Sequence, residues 1–494
     1  MSTLESGKWK AESGNEKSAV NVSPYSLFFT HYLLLVTCYL LLSTCFGFAQ
    51  EANKTITVTG QELIGSVQNG ESIREVNGDV VLTQGNVVIT CNKAIQYLAR
   101  NDAKLIGNVI VTQDTLTIYT DEGFYYGNER RTFSDKGVKL DDKKVILTAT
   151  VGEYFFNEDK ADFRRNVKLF DTISTLTSNR LLYFRREDRA IAFGNVKIAD
   201  KENIIYADSL IHFRKVEESH GFGNINIKNK TNHSTILGGH MEDYRARNYS
   251  LIDSLPLLIQ IDTTFSGDTV KTIDTLLIKS KVMKAYRDTS NRFIAIDSVE
   301  ILRGEFASKN DYTIYFRDEE NIITNKTGDE SAQPVLWFEN SQLSGDSVKI
   351  FLKERQIQKI DIINNTLIAS YNENFRQRFD QISGDTIMLF FDSTGIKRNE
   401  VYSNVLSIYY LYDDQEPSGL MKASAQSSLM NFDQKKIISV KLFGTPNSEY
   451  HPETIIQGKE KEYFLPSFIL FENRPEKEKL FTPQLQMNFS KGNQ

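Results

Sequence analysis

Four histidines lie close together in the chain and raise the question of a metal site. The segment of 29 residues that ends at His240 also holds His212, His220 and His233. Imidazole is a common zinc ligand, but no pair here has the i, i+4 spacing of a helical site or the short spacing of a Cys/His knuckle. The pattern is typical of surface or half-buried histidines on strands and turns. We therefore predict no metal and no other cofactor.

Acidic residues suggest two further kinds of chemistry. Asp262, Asp268 and Asp274 recur at intervals of six, a spacing that does not fit an EF-hand calcium loop. The adjacent pairs 141–142 and 413–414, all Asp, invite comparison with the two carboxylates of a glycosidase. Neighbours in a strand point to opposite faces, however, so such a pair does not converge on one substrate. Both patterns are typical of turns.

A nucleophilic or phosphate-binding site finds little support either. Cys91 recurs, 29 residues apart, as Thr120, Ala149, Ser178 and Ala207, which indicates a small packed residue rather than a nucleophile. No Gly-rich loop follows a strand and enters a helix. The sequence predicts a protein that is not an enzyme. The alternative is a β-helical polysaccharide-active enzyme, for which a pocket with carboxylates about 5–9 Å apart would be the evidence.

Composition favours a folded, β-rich protein. The chain has 494 residues, of which 40% are hydrophobic and 25% charged, so wholesale disorder is excluded. The 31 Phe and 22 Tyr, against 2 Trp, are residues that sheets prefer. The net charge is 58 − 64 = −6. An acidic chain offers no electrostatic footprint for nucleic acid, and no nucleic-acid partner is predicted.

The N-terminus carries an export signal or an anchor. After 26 polar residues the stretch 27–48 is almost wholly apolar, and Gly47 and Ala49 are small residues where a signal peptidase would read them. We predict a signal peptide over residues 1–49. A retained membrane anchor is the alternative, and Cys45 after Thr44 is a poor match to a lipoprotein box. Removal of this segment would leave Cys91 as the one cysteine, so no internal disulfide is expected.

The most informative feature is a repeat of 29 residues. Triplets of the Gly-Asn-Val type begin at Gly78, Gly107, Lys136, Arg165, Gly194 and Gly223. The alternating apolar positions that follow are Val80 and Leu82, Val109 and Val111, Val138 and Leu140, Val167 and Leu169, Val196 and Ile198, and Ile225 and Ile227. Alternation of β-branched residues at period two is typical of strands with one buried face.

Two further columns recur with the same period. One is aromatic and comprises Tyr97, Tyr126, Phe155, Phe184 and Phe213. The other is polar, and we expect it to turn the chain; it comprises Asn92, Asp121, Thr150, Asn179 and Asp208. Each unit is predicted to hold about three short strands and to bury its apolar face only by stacking on its neighbours. The predicted fold is all-β, an elongated β-jelly roll or β-taco solenoid of repeated short strands.

The repeat also suggests the domain organisation. We predict a first β-repeat region over residues 50–253 and a turn-rich junction over 254–275. A second, looser repeat region follows over 276–473, with Ser-Gly-Asp signatures at 344–346 and 383–385. The charged tail 474–494 is expected to be disordered.

These repeats resemble a known family. Gly194-Asn195-Val196-Lys197-Ile198 followed by Ala207-Asp208-Ser209-Leu210-Ile211-His212-Phe213 is similar to the repeats of the OstA-like family, which includes periplasmic bridge proteins of lipopolysaccharide transport and the N-terminal domain of the outer-membrane lipopolysaccharide assembly protein. The resemblance covers residues 56–245 and extends more weakly to about 475. It implies a folded sheet open along one side, an apolar interior for acyl chains, and exposed end strands that join copies head to tail.

On this resemblance the expected function is binding and transport of lipopolysaccharide through the periplasm toward the outer membrane. The expected partners are lipopolysaccharide itself and other jelly-roll transport proteins, joined by edge-strand addition. The residues expected to line an acyl-chain groove are Val80, Leu82, Val109, Val111, Val138, Leu140, Val167, Leu169, Val196, Ile198, Tyr97, Tyr126, Phe155, Phe184 and Phe213. A third reading is an inert surface or scaffold solenoid, which an interior with no room for an alkyl chain would favour.

Overall fold

The computed structural model describes residues 55–480, apart from residues 232, 267, 268, 355, 394, 415 and 435. The predicted signal peptide at 1–49 and residues 481–494 of the predicted tail lie outside the described residues.

The described residues form 32 strands that all pair antiparallel in one sheet. The strands of the first half are β1 (Thr57–Thr59), β2 (Glu62–Gln68), β3 (Glu71–Gln84), β4 (Val87–Tyr97), β5 (Asp102–Gln113), β6 (Leu116–Tyr126), β7 (Arg131–Ser134), β8 (Val138–Asp141), β9 (Ile146–Ala149), β10 (Val151–Phe155), β11 (Lys160–Phe170), β12 (Thr175–Phe184), β13 (Arg189–Ala199), β14 (Asn203–Phe213), β15 (Glu218–Asn229) and β16 (Ser234–Tyr244). Those of the second half are β17 (Tyr249–Asp253), β18 (Leu257–Ser266), β19 (Thr269–Lys279), β20 (Val282–Tyr286), β21 (Arg292–Arg303), β22 (Phe306–Phe316), β23 (Asn321–Asn325), β24 (Val335–Phe338), β25 (Ser341–Ser344), β26 (Ser347–Lys353), β27 (Gln356–Tyr371), β28 (Phe379–Asp392), β29 (Gly395–Asp413), β30 (Glu416–Asp433), β31 (Lys436–Phe443) and β32 (Asn447–Pro452).

Most strands are long and bent in the middle, so the sheet folds over into two facing arms. Arm A contains residues 71–77 of β3 and the half-strands that continue from them along the sheet; arm B contains residues 80–84 and their continuation. One repeat of 29 residues is a hairpin of two bent strands, such as β3 and β4. The all-β prediction is confirmed, but the sequence analysis expected three short strands per unit where the structure has two long ones.

The bend is made by the repeated Gly-Asn pairs. Gly107 and Asn108 both adopt positive φ, at 78° and 49°, and the pairing register of β5 shifts between Ile106 and Val109. Glycine is favoured at such a position because it lacks a Cβ. The polar column lies opposite: a Cβ on Gly107 would sit 2.6 Å from Nδ2 of Asn92. We call these positions the corner of the sheet.

Substitution at the corner should destabilise the sheet. In Gly107→Ala the new Cβ meets both an unfavourable φ and the Asn92 side chain, whereas Gly137→Ala has a similar positive φ with no atom within 4 Å. We expect Gly107→Ala to cost about 1–3 kcal/mol, and Gly137→Ala to cost less. Urea unfolding midpoints of the two variants measure the difference. Equal midpoints would show that the contact with Asn92 contributes nothing.

The corner also changes which side chains point inward. On β6, Ile118 is buried in the interior and a strict period of two from it would bring Tyr126 to the same face. The structure instead buries Tyr125, which is 0% exposed. An unequal number of residues on the two paired strands at the corner shifts the register, and a one-residue shift moves side chains to the opposite face.

The interior between the arms holds two main cores. The first runs from Ile56 to Ile301, and the second from Leu336 to Met430. Phe306 packs against both. Residues 254–275, which the sequence analysis treated as a junction, contribute β18 and the start of β19, a hairpin within arm B that pairs with β16 on one side and β21 on the other. The first core therefore continues past this segment.

The C-terminal segment, residues 453–480, runs back along the outer face of arm B. It contains α1 (Glu453–Ile456) and α2 (Lys477–Leu480). Leu465 packs with Leu420 near the end of the sheet, and Leu480 packs with Leu237 some two hundred residues earlier in the chain. Residues 474–480, expected to be disordered, are thus docked on the sheet.

Polar contacts and two ion pairs fix the path of this segment. The amide of Gln342 donates to the carbonyl of Ile469 and accepts from the N–H of Phe471, both at 2.8 Å. Arg378, with its side chain 4% exposed, pairs with Glu453 and Glu460. Three 3-10 helices complete the described structure, at Arg214–Val216, Arg245–Arg247 and Glu460–Tyr463. Within the described part of the chain, no helix has the length and apolar character needed to span a membrane.

Candidate functional site

The ten aliphatic residues predicted to line a groove all lie in arm B of the first half. Nine of them are buried, at 6% exposure or less, and Ile198 is partly buried against the same core. Side chains such as Val80, Leu82 and Leu140 are 0% exposed, so they border no space that a water molecule could enter. In this structure these columns form a packed core and leave no open groove beside them.

The open side of the first half is closed by a seam of contacts between the tips of the two arms. Gln84 of arm B donates to the carbonyl of Gly127 at 3.1 Å and accepts from the hydroxyl of Tyr125 at 2.5 Å. Farther along, the Tyr183 hydroxyl donates to Asp142 at 2.6 Å. The remaining seam contacts are Arg130 with Asn86, Arg185 with Thr115, Lys144 with Asp188, Arg214 with the carbonyl of Lys144, and Arg245 with Asp200.

The five predicted aromatic residues lie on the outside of arm A. Each is half-buried, and four carry a cation over the ring: Arg100 on Tyr97, Arg131 on Tyr126, Lys160 on Phe155 and Arg189 on Phe184, at 4.0–4.9 Å from the ring centroid. Phe213 contacts the ring of His220. The structure therefore separates these aromatics from the aliphatic columns, which face the interior.

Three tyrosines that the sequence analysis did not single out fill the interior instead. Tyr125, Tyr154 and Tyr183 are 0–1% exposed and repeat every 29 residues, one position before the predicted column. Burial raises the pKa of Tyr125 to about 12 and raises the pKa of Tyr154 and Tyr183 as well. Each hydroxyl has a polar partner at the seam or in the adjacent turn. The missed signal is the second tyrosine of the pair 125–126.

The acidic pair 141–142 and Cys91 have structural positions. Asp141 accepts from the backbone N–H of Lys143, and Asp142 accepts from the N–H groups of Lys144 and Val145, so both shape the turn between β8 and β9. Cys91 is buried in the first core. Burial raises the pKa of its thiol, which opposes formation of a nucleophilic thiolate.

The second half contains a cavity of about 1310 Å³ between the two arms. This exceeds the usual range for small-ligand pockets, about 300–1,000 Å³. Apolar side chains from both arms face it. Those of arm A are Ile357, Ile360, Leu389, Phe391, Ile396, Phe432, Ile437, Val440 and Leu442. Those of arm B are Phe306, Leu336, Phe338, Leu343, Ile368, Ile382, Tyr409, Met421 and Ala423.

The cavity reaches solvent at the C-terminal end of the sheet. There β31 is the last strand of arm A and β32 the last strand of arm B. Ile437 and Val440 line the cavity yet are 40% and 46% exposed. An apolar wall that continues into solvent at a sheet end can receive an apolar chain that enters lengthwise.

One carboxyl group lies in the cavity wall. Asp380 accepts a hydrogen bond from the backbone N–H of Tyr410 at 2.9 Å. Burial raises its pKa from the ordinary value to about 6, because the low-dielectric surroundings disfavour the ionised form. The folded protein therefore holds this proton at mildly acidic pH, whereas the unfolded chain releases it near pH 4.

Asp380→Asn should stabilise the protein at high pH. Between about pH 4 and pH 6 the folded state keeps a proton that the unfolded state has lost, so stability falls as pH rises through this window and stays lower above it. The variant removes this penalty, of the order of 3 kcal/mol, and keeps an oxygen for Tyr410. We expect it to unfold at higher urea than the wild type at pH 8 and at similar urea at pH 4.

Asp414→Asn, in an exposed turn, is the matched control and should leave the pH dependence unchanged. The expectation fails if Asp380→Asn and the wild type unfold at the same urea concentration at pH 8.

Both ends of the sheet present unpaired edges with exposed apolar side chains. At the N-terminal end β2 pairs only with β3, and its Leu63, Ile64 and Val67 are exposed. At the other end β31 pairs only with β30, and Ile438 and Phe443 are exposed. Exposed strand edges of this kind are templates for addition of another strand.

These features define a class: an elongated antiparallel sheet doubled over an apolar interior, with pairing edges at both ends. Residues 53–208 match the family model described as OstA-like protein. Over these residues the chain is OstA-like, and the resemblance seen in the sequence is confirmed there.

A search of curated proteins finds no match to this chain. Among solved structures, a crystal structure of LptH from Pseudomonas aeruginosa is described as the LptA-homologous periplasmic component of the conserved lipopolysaccharide transport device. Its identity to this chain is 14%, the alignment covers 30% of this chain and 99% of LptH, and the TM-score is 0.17. A likeness this weak bears on neither the fold nor the ligand of this chain.

Proposed function

We propose that this protein binds lipopolysaccharide and carries it through the periplasm toward the outer membrane, without enzymatic chemistry, and that the acyl chains enter the cavity of the second half. The observation that carries the proposal is the cavity between residues 306 and 448, apolar on both arms and open at the sheet end. The OstA-like match over residues 53–208 supports the transport role.

The energetics of apolar burial suit this role. Each methylene removed from water contributes about 0.8 kcal/mol. A dozen sheltered methylenes would contribute roughly 10 kcal/mol before the costs of ordering and association. Apolar contact alone can therefore hold a lipid tail in water. The closed first half then acts as a rigid body that carries the pairing edge of β2, and the proposed acyl-chain site lies at the opposite end of the sheet.

The edges supply the proposed partner contacts. Strand addition to β2 or to β31 would extend the sheet with another jelly-roll protein of the same pathway. At the β31 end this addition would also continue the cavity into the partner, since Ile437 and Val440 line both the cavity and the last strand. A lipid could then pass from one interior to the next without crossing water.

Photo-crosslinking in cells tests where the lipid binds. A benzoylphenylalanine replaces Phe391 or Phe432, which line the cavity, or Phe155 or Phe184, which lie outside arm A. All four are phenylalanines of intermediate exposure, so size and accessibility are matched. We expect lipopolysaccharide to attach at 391 and 432 and not at 155 and 184.

Each other outcome contradicts part of the proposal. Attachment at 155 and 184 alone would move the lipid site to the outer face of the first half. Equal attachment at all four positions would remove the cavity as the specific site. No attachment at any position, with normal protein levels, would overturn lipopolysaccharide binding itself.

A further inference from the structure

Two histidines that the sequence spacing did not connect meet on the outer face of the sheet. His220 lies on β15 and His240 on β16, and the two strands pair so that His220 faces Glu242 across the ladder. One nitrogen of each histidine and one oxygen of Glu242 all lie within 4.8 Å of one another. Two imidazoles and a carboxylate form a set of ligands that zinc prefers.

The hydrogen bonds orient both rings toward a common point. Nε2–H of His220 donates to Glu218 at 2.6 Å, which leaves the lone pair on Nδ1 free. Nδ1–H of His240 donates to Asp253 at 3.3 Å, which leaves the lone pair on Nε2 free. These two free nitrogens each lie 3.9 Å from Oε1 of Glu242. A carboxylate behind each ligating histidine is the usual outer shell of a zinc site.

The third ligand is held in the same way. The hydroxyl of Tyr244 donates to Oε2 of Glu242 at 3.0 Å, so Oε1 stays directed at the histidines. Aromatic rings restrict the imidazoles further: Phe222 stacks on His240 at 5.0 Å between centroids, and Tyr244 meets His220 edge-on at 5.9 Å. All three ligand side chains are 20–29% exposed, so an ion can reach them.

The local charge favours a cation. Glu218, Glu242 and Asp253 bring three carboxylates around two histidines, and Arg247, 3.9 Å from Glu218 and 72% exposed, is the nearby cation in the ion pairs of these groups. Tetrahedral zinc with ligand bonds of about 2.0–2.2 Å requires ligand atoms to lie somewhat closer together than they do here. Side-chain rotations of the half-exposed residues suffice to close that gap.

We propose that His220, His240 and Glu242 bind one divalent transition-metal ion, zinc by the nature of the ligands, and that Glu218 and Asp253 are positioning residues for the two histidines. The site lies in the sixth repeat, where the apolar and aromatic columns lapse. A metal ion there would tie β15 to β16 and add a cross-strand bond where the side-chain columns are weakest.

Zinc titration of the full chain, prepared without a histidine tag, tests the site. We expect one zinc per chain in isothermal titration, and a loss of affinity of at least 100-fold in His220→Ala and His240→Ala. Glu218→Gln keeps the ligands but removes the carboxylate behind His220, so a loss of about 10–100-fold is expected. His451→Ala, whose side chain is similarly exposed beside Glu449, is the matched control and should bind as the wild type does.

Two further measurements keep the outcome clear. Cobalt bound to the wild type should show the visible absorption of a tetrahedral site, and zinc should raise the melting temperature of the wild type but not of His240→Ala. The apo variants should melt as the apo wild type does, because the side chains lie on the outer face. No zinc binding by the wild type, or affinity in both histidine variants within threefold of the wild type, would overturn the proposal.

Discussion

Leu140→Asp should prevent stable folding, whereas Lys139→Asp, one residue earlier on the same strand, should be tolerated. Leu140 is 0% exposed and pairs with Ile118 and Leu147 in arm B. Loss of a buried leucine side chain costs about 2–5 kcal/mol, and an unpaired carboxyl group in the same place adds several more. The sum is comparable with the total stability of a typical domain, about 5–15 kcal/mol.

The matched substitution at Lys139 places the same carboxylate on the wet face. Lys139 is exposed, and its main contact is the ring of Tyr119 at 5.5 Å, worth about 0.5–1 kcal/mol at an exposed site. Soluble yield and thermal unfolding followed by circular dichroism compare the two variants. A Leu140→Asp protein that melts within a few degrees of the wild type would contradict the packed interior described here.

Deletion of residues 453–494 should expose the outer face of arm B and cause aggregation. The C-terminal segment buries Ile456, Leu465 and Leu480, each 5% exposed or less. At about 1.5–3 kcal/mol for each fully buried side chain, these three contribute roughly 5–9 kcal/mol before the entropy of ordering the segment. Deletion would also leave Arg378 without Glu453 and Glu460.

The apolar face that the deletion uncovers is large and runs along the sheet. Its members are Leu237, Leu257, Ile259, Leu277, Ala307, Val335, Trp337, Leu367, Ile408, Tyr410 and Leu420. Exposed apolar patches of this kind promote association. Light scattering and binding of a hydrophobic dye should both increase for the truncated protein, while deletion of residues 481–494 alone should change neither. A monomeric 1–452 protein with wild-type melting behaviour would refute this role.

Neighbouring strands carry the part of the fold that the sequence predicts best. Because Val80, Val109 and Val138 occupy equivalent places in successive hairpins, their spacing reports directly on strand pairing. The Gly-Asn pairs similarly mark the corner, since two residues at positive φ need types that tolerate the left-handed region. The register change at the corner was harder to predict, and it moved the interior aromatic position from Tyr126 to Tyr125.

The candidate sites depend on contacts that no repeat describes. The seam joins residues 41 to 70 apart, such as Gln84 with Tyr125 and Arg185 with Thr115, and it closes the half of the chain where the groove was expected. The cavity exists because the arms of the second half stand farther apart. His220 and His240 meet because two strands pair in one particular register, a relation that helical or knuckle spacing does not capture.

The sequence by itself determined an all-β chain of stacked hairpins with an apolar interior and a bend at each Gly-Asn pair, because these properties follow from period-two alternation and local backbone preference. Only the tertiary structure decided how far apart the two arms lie, where the cavity opens and which side chains converge. Those distances result from packing between segments remote in the chain, up to the 200 residues that separate Lys279 from Lys479, and short-range patterns contain no information about them.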